Sequence, residues 1–95
     1  MPKINRLIWA ESFLENESAS AERPAGYDSA IVGVATVPGA QPVIAYSVEA
    51  MIGALQKADP TMTRGQALEH LYQTVLDAYV GPGTPSYIWE PPEEE

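Results

Sequence analysis

The chain has 95 residues, thirteen acidic against five basic, a net charge of −8 and a pI near 4.4. That length makes one domain with one core, and 45% hydrophobic with 19% charged residues is a globular composition, not a disordered one. Lys3, Arg6, Arg23, Lys57 and Arg64 are scattered, so direct nucleic-acid binding by phosphate neutralisation is excluded; no stretch approaches a membrane span; and no cysteine exists for disulfides or thiolate metal sites.

Residues 1–24 open the chain. Ile4, Leu7, Ile8 and Leu14 share one helical face interrupted by Glu11, whereas Leu7-Ile8-Trp9 also fits a short strand; helix is the favoured reading. Glu11 also breaks the apolar run a secretory signal needs, so a reducing, cytoplasmic setting is expected. Asn16 to Pro24 is polar and ends in Arg-Pro-Ala-Gly, a surface connection.

Ala30–Ala35 is short, apolar and β-branched, and reads as a strand buried on both faces, with Gly33 marking a bulge or a close backbone approach. Val37-Pro38-Gly39-Ala40 has the residues of a type II turn, and Pro42–Tyr46 follows as a second strand, completing a β-hairpin. Ser47 is placed as the N-cap of the next helix, with Glu49 in its first turn and Tyr46 and Met51 set for a hydrophobic staple. Val48, Met51, Ile52 and Leu55 form its core stripe. Gly53 within it predicts a tight crossing, and Asp59-Pro60 ends it.

The clearest period lies in Thr61–Pro85. Leu68, Leu71, Tyr72, Val75, Leu76 and Tyr79 line one face of a helix expected over about residues 64–80. Thr63 and Gln66 fit a capping box, and Gly81-Pro82 fits the exit. A short connection to the preceding helix predicts an antiparallel helical hairpin. Ser86–Trp89 reads as a third strand beside the first two. The whole predicts an α+β domain over residues 1–90: a small antiparallel sheet covered on one face by the helical hairpin, with an N-terminal helix or strand, and residues 91–95 as an acidic tail.

Chemistry is sparse. His70 and Asp77 share the polar face of the last helix with Thr74 between them, an acid–base arrangement in outline, but no nucleophile accompanies them, and the face reads as solvated or as partner contact. One histidine and no compact carboxylate cluster match neither zinc nor calcium spacing, so no metal or other cofactor is expected. Gly81-Pro82-Gly83-Thr84 ends a helix instead of starting one, the wrong dipole end for phosphate. Trp9 and Trp89 lead a set of seven large Tyr and Trp residues that exceeds what so small a core hides, and interfaces favour such anchors. The residues expected to contact a partner are Trp9, Tyr79, Tyr87, Trp89, His70 and Asp77.

Asp28–Ala35, Pro42–Tyr46, Met62-Thr63 with Gln66-Ala67, Ala78–Gly81 and Thr84-Pro85 resemble the pattern of a family of small phage and prophage proteins, over about Tyr27–Trp89. The chain departs where Ser47 stands for an aspartate and Gly65 for an acidic residue; both changes are compatible with helix capping. The resemblance implies a mobile-element origin and no carried-over functional residues. By analogy with small acidic phage proteins, it implies a non-enzymatic protein that binds and blocks or modulates a host or phage macromolecule, defence systems included. The expected partner is a protein with a basic site, and self-association into a homo-oligomer fits so small a core. The alternative expectation is an oligomeric binder that sequesters a small ligand or nucleotide, with Tyr79 and Tyr87 stacking a base beside the Gly/Pro/Thr loop.

Overall fold

The computed structural model describes residues 5–16, 21–79 and 81–91. It is an α+β fold: helix α1 (Arg6–Asn16), a 3₁₀ turn (Asp28–Ala30), strands β1 (Ile31–Ala35) and β2 (Val43–Ser47), helices α2 (Val48–Ala58) and α3 (Arg64–Leu71), a π-helical turn (Tyr72–Leu76) and strand β3 (Ser86–Ile88). No helix among the described residues is long and apolar enough to cross a membrane. Residues 1–4 and 92–95 lie outside the described residues, so Ile4 and most of the expected acidic tail do too.

The sheet runs in the order β1-β2-β3. β1 and β2 form the expected antiparallel hairpin: Ala40 N–H donates to the Val37 carbonyl at 3.0 Å, and Gly39 sits at φ +82°, the left-handed position a type II turn reserves for glycine. β3, however, pairs parallel to β2, with Ala45 opposite Ser86 and Ser47 opposite Ile88, so the sheet is mixed and not antiparallel. The chain explains this. β2 passes directly into α2, and the helices that follow are a crossover long enough to return the chain to the start of β2.

β2, not β1, is the strand buried on both faces. All five of its residues are buried, while β1 is an edge strand with Val32 exposed. The register slips between Ile31 and Gly33, where two steps along β1 oppose one along β2, so the strand carries a bulge as expected. Its extra residue, however, is Val32, and Gly33 pairs with Ala45. Gly33 makes no close approach, since a Cβ there would meet nothing within 4 Å.

The core gathers Leu14, Tyr27, Ile31, Ile44, Tyr46, Val48, Met51, Ile52, Ala67 and Leu71. The inward side of α1 is Leu7, Ala10 and Leu14, spaced at helical intervals, and Ile8 faces outward against expectation. The guanidinium of Arg6 donates to the Ile31 carbonyl at 3.4 Å and ties α1 to β1.

α2 begins as expected: the Ser47 hydroxyl accepts from Ala50 N–H at 3.1 Å, with Tyr46 and Met51 both fully buried beside it. Gly53 corrects the expectation of a tight crossing. It is exposed, and a Cβ there would meet nothing within 4 Å. The capping box of α3 is complete, with Thr63 Oγ1 accepting from Gln66 N–H at 3.1 Å and Gln66 Oε1 accepting from Thr63 N–H at 2.9 Å. An Arg64–Glu49 ion pair links the starts of α2 and α3, which pack together.

The last helix is shorter than its apolar period predicts. After Leu71 the α ladder widens to a π turn that ends at Leu76, four residues before the expected end; Val80 lies outside the described residues. Thr74 and Val75 are β-branched, and the Thr74 hydroxyl donates to the His70 carbonyl at 2.8 Å, competing with the backbone for that acceptor. The buried face is narrower than the apolar stripe. Ala67 and Leu71 are fully buried with Val75 packed against the core, whereas Tyr72 and Tyr79 face outward. Gly81, at φ +111°, does not cap this helix; its carbonyl accepts from Thr84 N–H at 3.1 Å in a separate turn.

Candidate functional site

Among the described residues, the exposed Ile8, Trp9, Tyr72, Ile88 and Trp89 gather at two aromatic pairs, and Val32, Val37 and Tyr79 belong to neither. On β3 and just beyond it, Ile88 and Trp89 are 42% and 53% exposed, and Trp89 stacks on Tyr72 with ring centroids 6.1 Å apart and planes tilted by 31°. Tyr72 follows the buried Leu71 on a regular helical turn and lies on the flank of the buried face, where it is exposed. On α1, Trp9 packs on Phe13 at 5.6 Å, and Trp9 is 44% exposed next to the outward-facing Ile8. Offset and tilted pairs of this kind hold broad apolar surface in fixed orientation.

The carboxylate next to Trp89 is also fixed. Glu90 accepts a hydrogen bond from the Ser47 hydroxyl, which places its charge at the N-terminus of α2, the positive end of the helix dipole. Ser47 thus serves twice, accepting from Ala50 N–H and donating to Glu90. One helical turn before Tyr72, Glu69 accepts from the Gln73 side chain at 3.3 Å. The aromatic pair therefore has acidic neighbours in two separate segments.

The remaining expected contact residues are dispersed. Tyr79 is the most exposed, at 78%, in the segment after the π turn. Tyr87 is half-buried, stacked on the buried Tyr46 with centroids 6.2 Å apart, so it is mainly a packing residue with one open edge. His70 is exposed and lines an open polar cleft of about 500 Å³ with Asp59, Thr61, Met62, Gln66, Glu69 and Gln73. Asp59 there is held below the usual carboxylate range by hydrogen bonds from the Thr61 hydroxyl, at 2.6 Å, and from Thr61 N–H. Asp77 closes the π turn, and among the described residues no hydrogen bond or ion pair joins it to His70. Thr74, between them, is committed to the His70 carbonyl, which leaves the imidazole without the orienting partner that acid–base work uses. Among the described residues no cluster of His, Asp and Glu has the makings of a metal site.

The segment expected as a simple surface connection is pinned at three points. Glu22 N–H donates to the Gly83 carbonyl at 2.9 Å, and Arg23 pairs with Glu11 at 2.6 Å and with Asp28 at 3.7 Å. It lies near Tyr46, whose hydroxyl is fully buried and has no hydrogen-bond partner among the described residues. Burial, helped by the Asp28 carboxylate, pushes the Tyr46 phenol up to about 12. Burial also raises Tyr27 and Tyr87.

Two features of this surface had no reading in the sequence. Tyr72 belongs there and not in the core, and Trp89 meets it across the fold. The advance trace was the aromatic excess itself, seven Tyr and Trp residues for so small a core. Compared with known protein families, with curated proteins and with solved structures, the chain matches none.

Proposed function

We propose that this chain is a non-enzymatic interaction protein of the phage or prophage kind, which docks through Tyr72, Ile88 and Trp89 onto a protein partner carrying a basic site. The observation that supports this most is the exposed Tyr72–Trp89 stack, flanked by Glu69 and Glu90. Pre-stacked aromatics lose little side-chain freedom on binding, and tyrosine and tryptophan supply most of the energy in interface hot spots. Their ring faces attract arginine and lysine, and the nearby carboxylates and the −8 charge steer a basic surface toward them. The dispersed His70, Asp77 and Thr74 supply no reacting group, which favours binding over catalysis.

Affinity capture from host lysate, with the chain immobilised and salt raised stepwise, tests this reading. A basic partner should be retained at low salt, released as salt rises, and lost with Trp89→Ser at unchanged fold. Equal capture by Trp89→Ser, or no salt-sensitive partner at all, would refute it.

A further inference from the structure

We infer that a small pocket beside Tyr87 is a binding site for a planar, uncharged heteroaromatic ring of the nucleobase class. This goes beyond the macromolecular partner and uses different residues. The pocket holds about 180 Å³ and is lined by Pro24, Thr74, Val75, Pro85 and Tyr87, with Glu22 and Arg23 at its rim. Drug-sized ligands occupy roughly 300–1,000 Å³, so this space suits one ring or a fused pair. Three segments distant in sequence converge to form it. Two prolines and a tyrosine ring offer flat apolar walls, the surface on which bases stack regardless of identity.

A second observation is independent of the cavity. The Tyr46 hydroxyl is buried and lacks a partner among the described residues. Its ring packs on that of Tyr87, and it feels the charge of Arg23, both of which line the pocket. A buried polar group left unpaired is unfavourable, and a ligand edge that reaches it relieves the cost. Reaching it requires the wall to shift slightly. Arg23 yields most easily, since its pairs with Glu11 and Asp28 are exposed to solvent. The π turn supplies a third observation, because it carries Thr74 and Val75 into the lining, and such turns concentrate at functional sites.

Charge narrows the ligand. Arg23, the one cation lining the pocket among the described residues, is already paired with two carboxylates, and Glu22 stands beside it. A phosphate is therefore disfavoured. The Thr74 hydroxyl gives its proton to the His70 carbonyl and presents lone pairs, as does the Glu22 carboxylate, so the rim receives donors. An exocyclic amino group fits this rim, which selects cytosine and adenine over uracil.

Chemical-shift titration of the full chain with cytidine, adenosine, uridine and adenosine monophosphate tests the site. Cytidine and adenosine should shift resonances of Tyr87 and Val75 saturably, uridine should bind several-fold more weakly, and the monophosphate more weakly than adenosine. Tyr46→Phe should raise the melting temperature while weakening adenosine about two- to tenfold, the loss of one neutral hydrogen bond. Thr74→Arg, at an exposed position, should block binding with the fold intact. Absence of saturable shifts with all four probes overturns the proposal, as does Tyr46→Phe leaving affinity unchanged or lowering the melting temperature. Either failure leaves the Tyr72–Trp89 docking reading untouched, since neither residue lines the pocket.

Discussion

Ser47→Ala removes one hydroxyl that performs two tasks, and its effect can be worked from the geometry. The first loss is the N-cap of α2: Ala50 N–H loses its acceptor, at a typical cost of about 1 kcal/mol. The second is the hydrogen bond to Glu90, whose carboxylate is exposed and recovers much of its solvation, so this adds on the order of 0.5 kcal/mol. The site is buried, so water does not replace the cap freely, and a total of about 1.5–2 kcal/mol follows. For a domain of this size, that lowers the melting temperature by roughly 6–16 °C. Thermal and urea unfolding of Ser47→Ala, Glu90→Ala and the double variant measure it. Because both single changes remove the same Ser47–Glu90 bond, the double variant should lose less than the sum of the two. Strict additivity, or a drop of under about 2 °C for Ser47→Ala, would refute the dual role. Ser47→Asp restores the cap but faces Glu90 with a second carboxylate, so it should be rescued by Glu90→Gln.

Alkaline titration probes Tyr46. Its pKa rises from 10.0 to about 12 on folding, so full stability is present below pH 10 and about 3 kcal/mol is lost as pH climbs from 10 to 12. Urea unfolding at pH 8 and pH 11 should show the loss, reduced but not abolished in Tyr46→Phe, since Tyr27 and Tyr87 shift in the same direction. Thr63→Ala should cost about 1 kcal/mol by breaking the capping box, with Gln66→Ala adding little on top of it. Gly53→Ala should stabilise the protein by about 0.5–1 kcal/mol, read as a higher urea midpoint, because the position is helical, exposed and free of neighbours. Loss of stability there would mean that the helix packs against something at Gly53.

Features written in adjacent residues were legible in advance. The Pro38-Gly39 turn, the Ser47 cap and the Thr63–Gln66 box each depend on a few consecutive side chains, and each is present. Features set by the arrangement of distant segments were not. Ala30–Ala35 is apolar enough for a central strand, but centrality depends on where β3 inserts, and β3 joined β2. The parallel pairing of β3 likewise follows from the path of two intervening helices and has no mark in Ser86–Trp89 itself. Of the expected contact residues, the exposure of Trp9 and Trp89 was anticipated from aromatic excess, whereas Tyr79, read as part of the apolar stripe, faces outward. Tyr72 was misassigned to the core because the apolar stripe is wider than the face the fold buries, which centres on Ala67 and Leu71.

The bulge at Val32 has a bearing on self-assembly. A kinked strand presents a poor template for another chain, so β1 is the blunted rim of the sheet and β3 the open one. Filaments grow by joining one rim to the opposite rim of the next copy, which needs both to be receptive. A sheet with a single receptive rim can only meet its own kind face to face, and such contacts close at two copies. The extra residue at Val32 thus leaves β3, which runs into the Tyr72–Trp89 stack, as the edge more open to pairing.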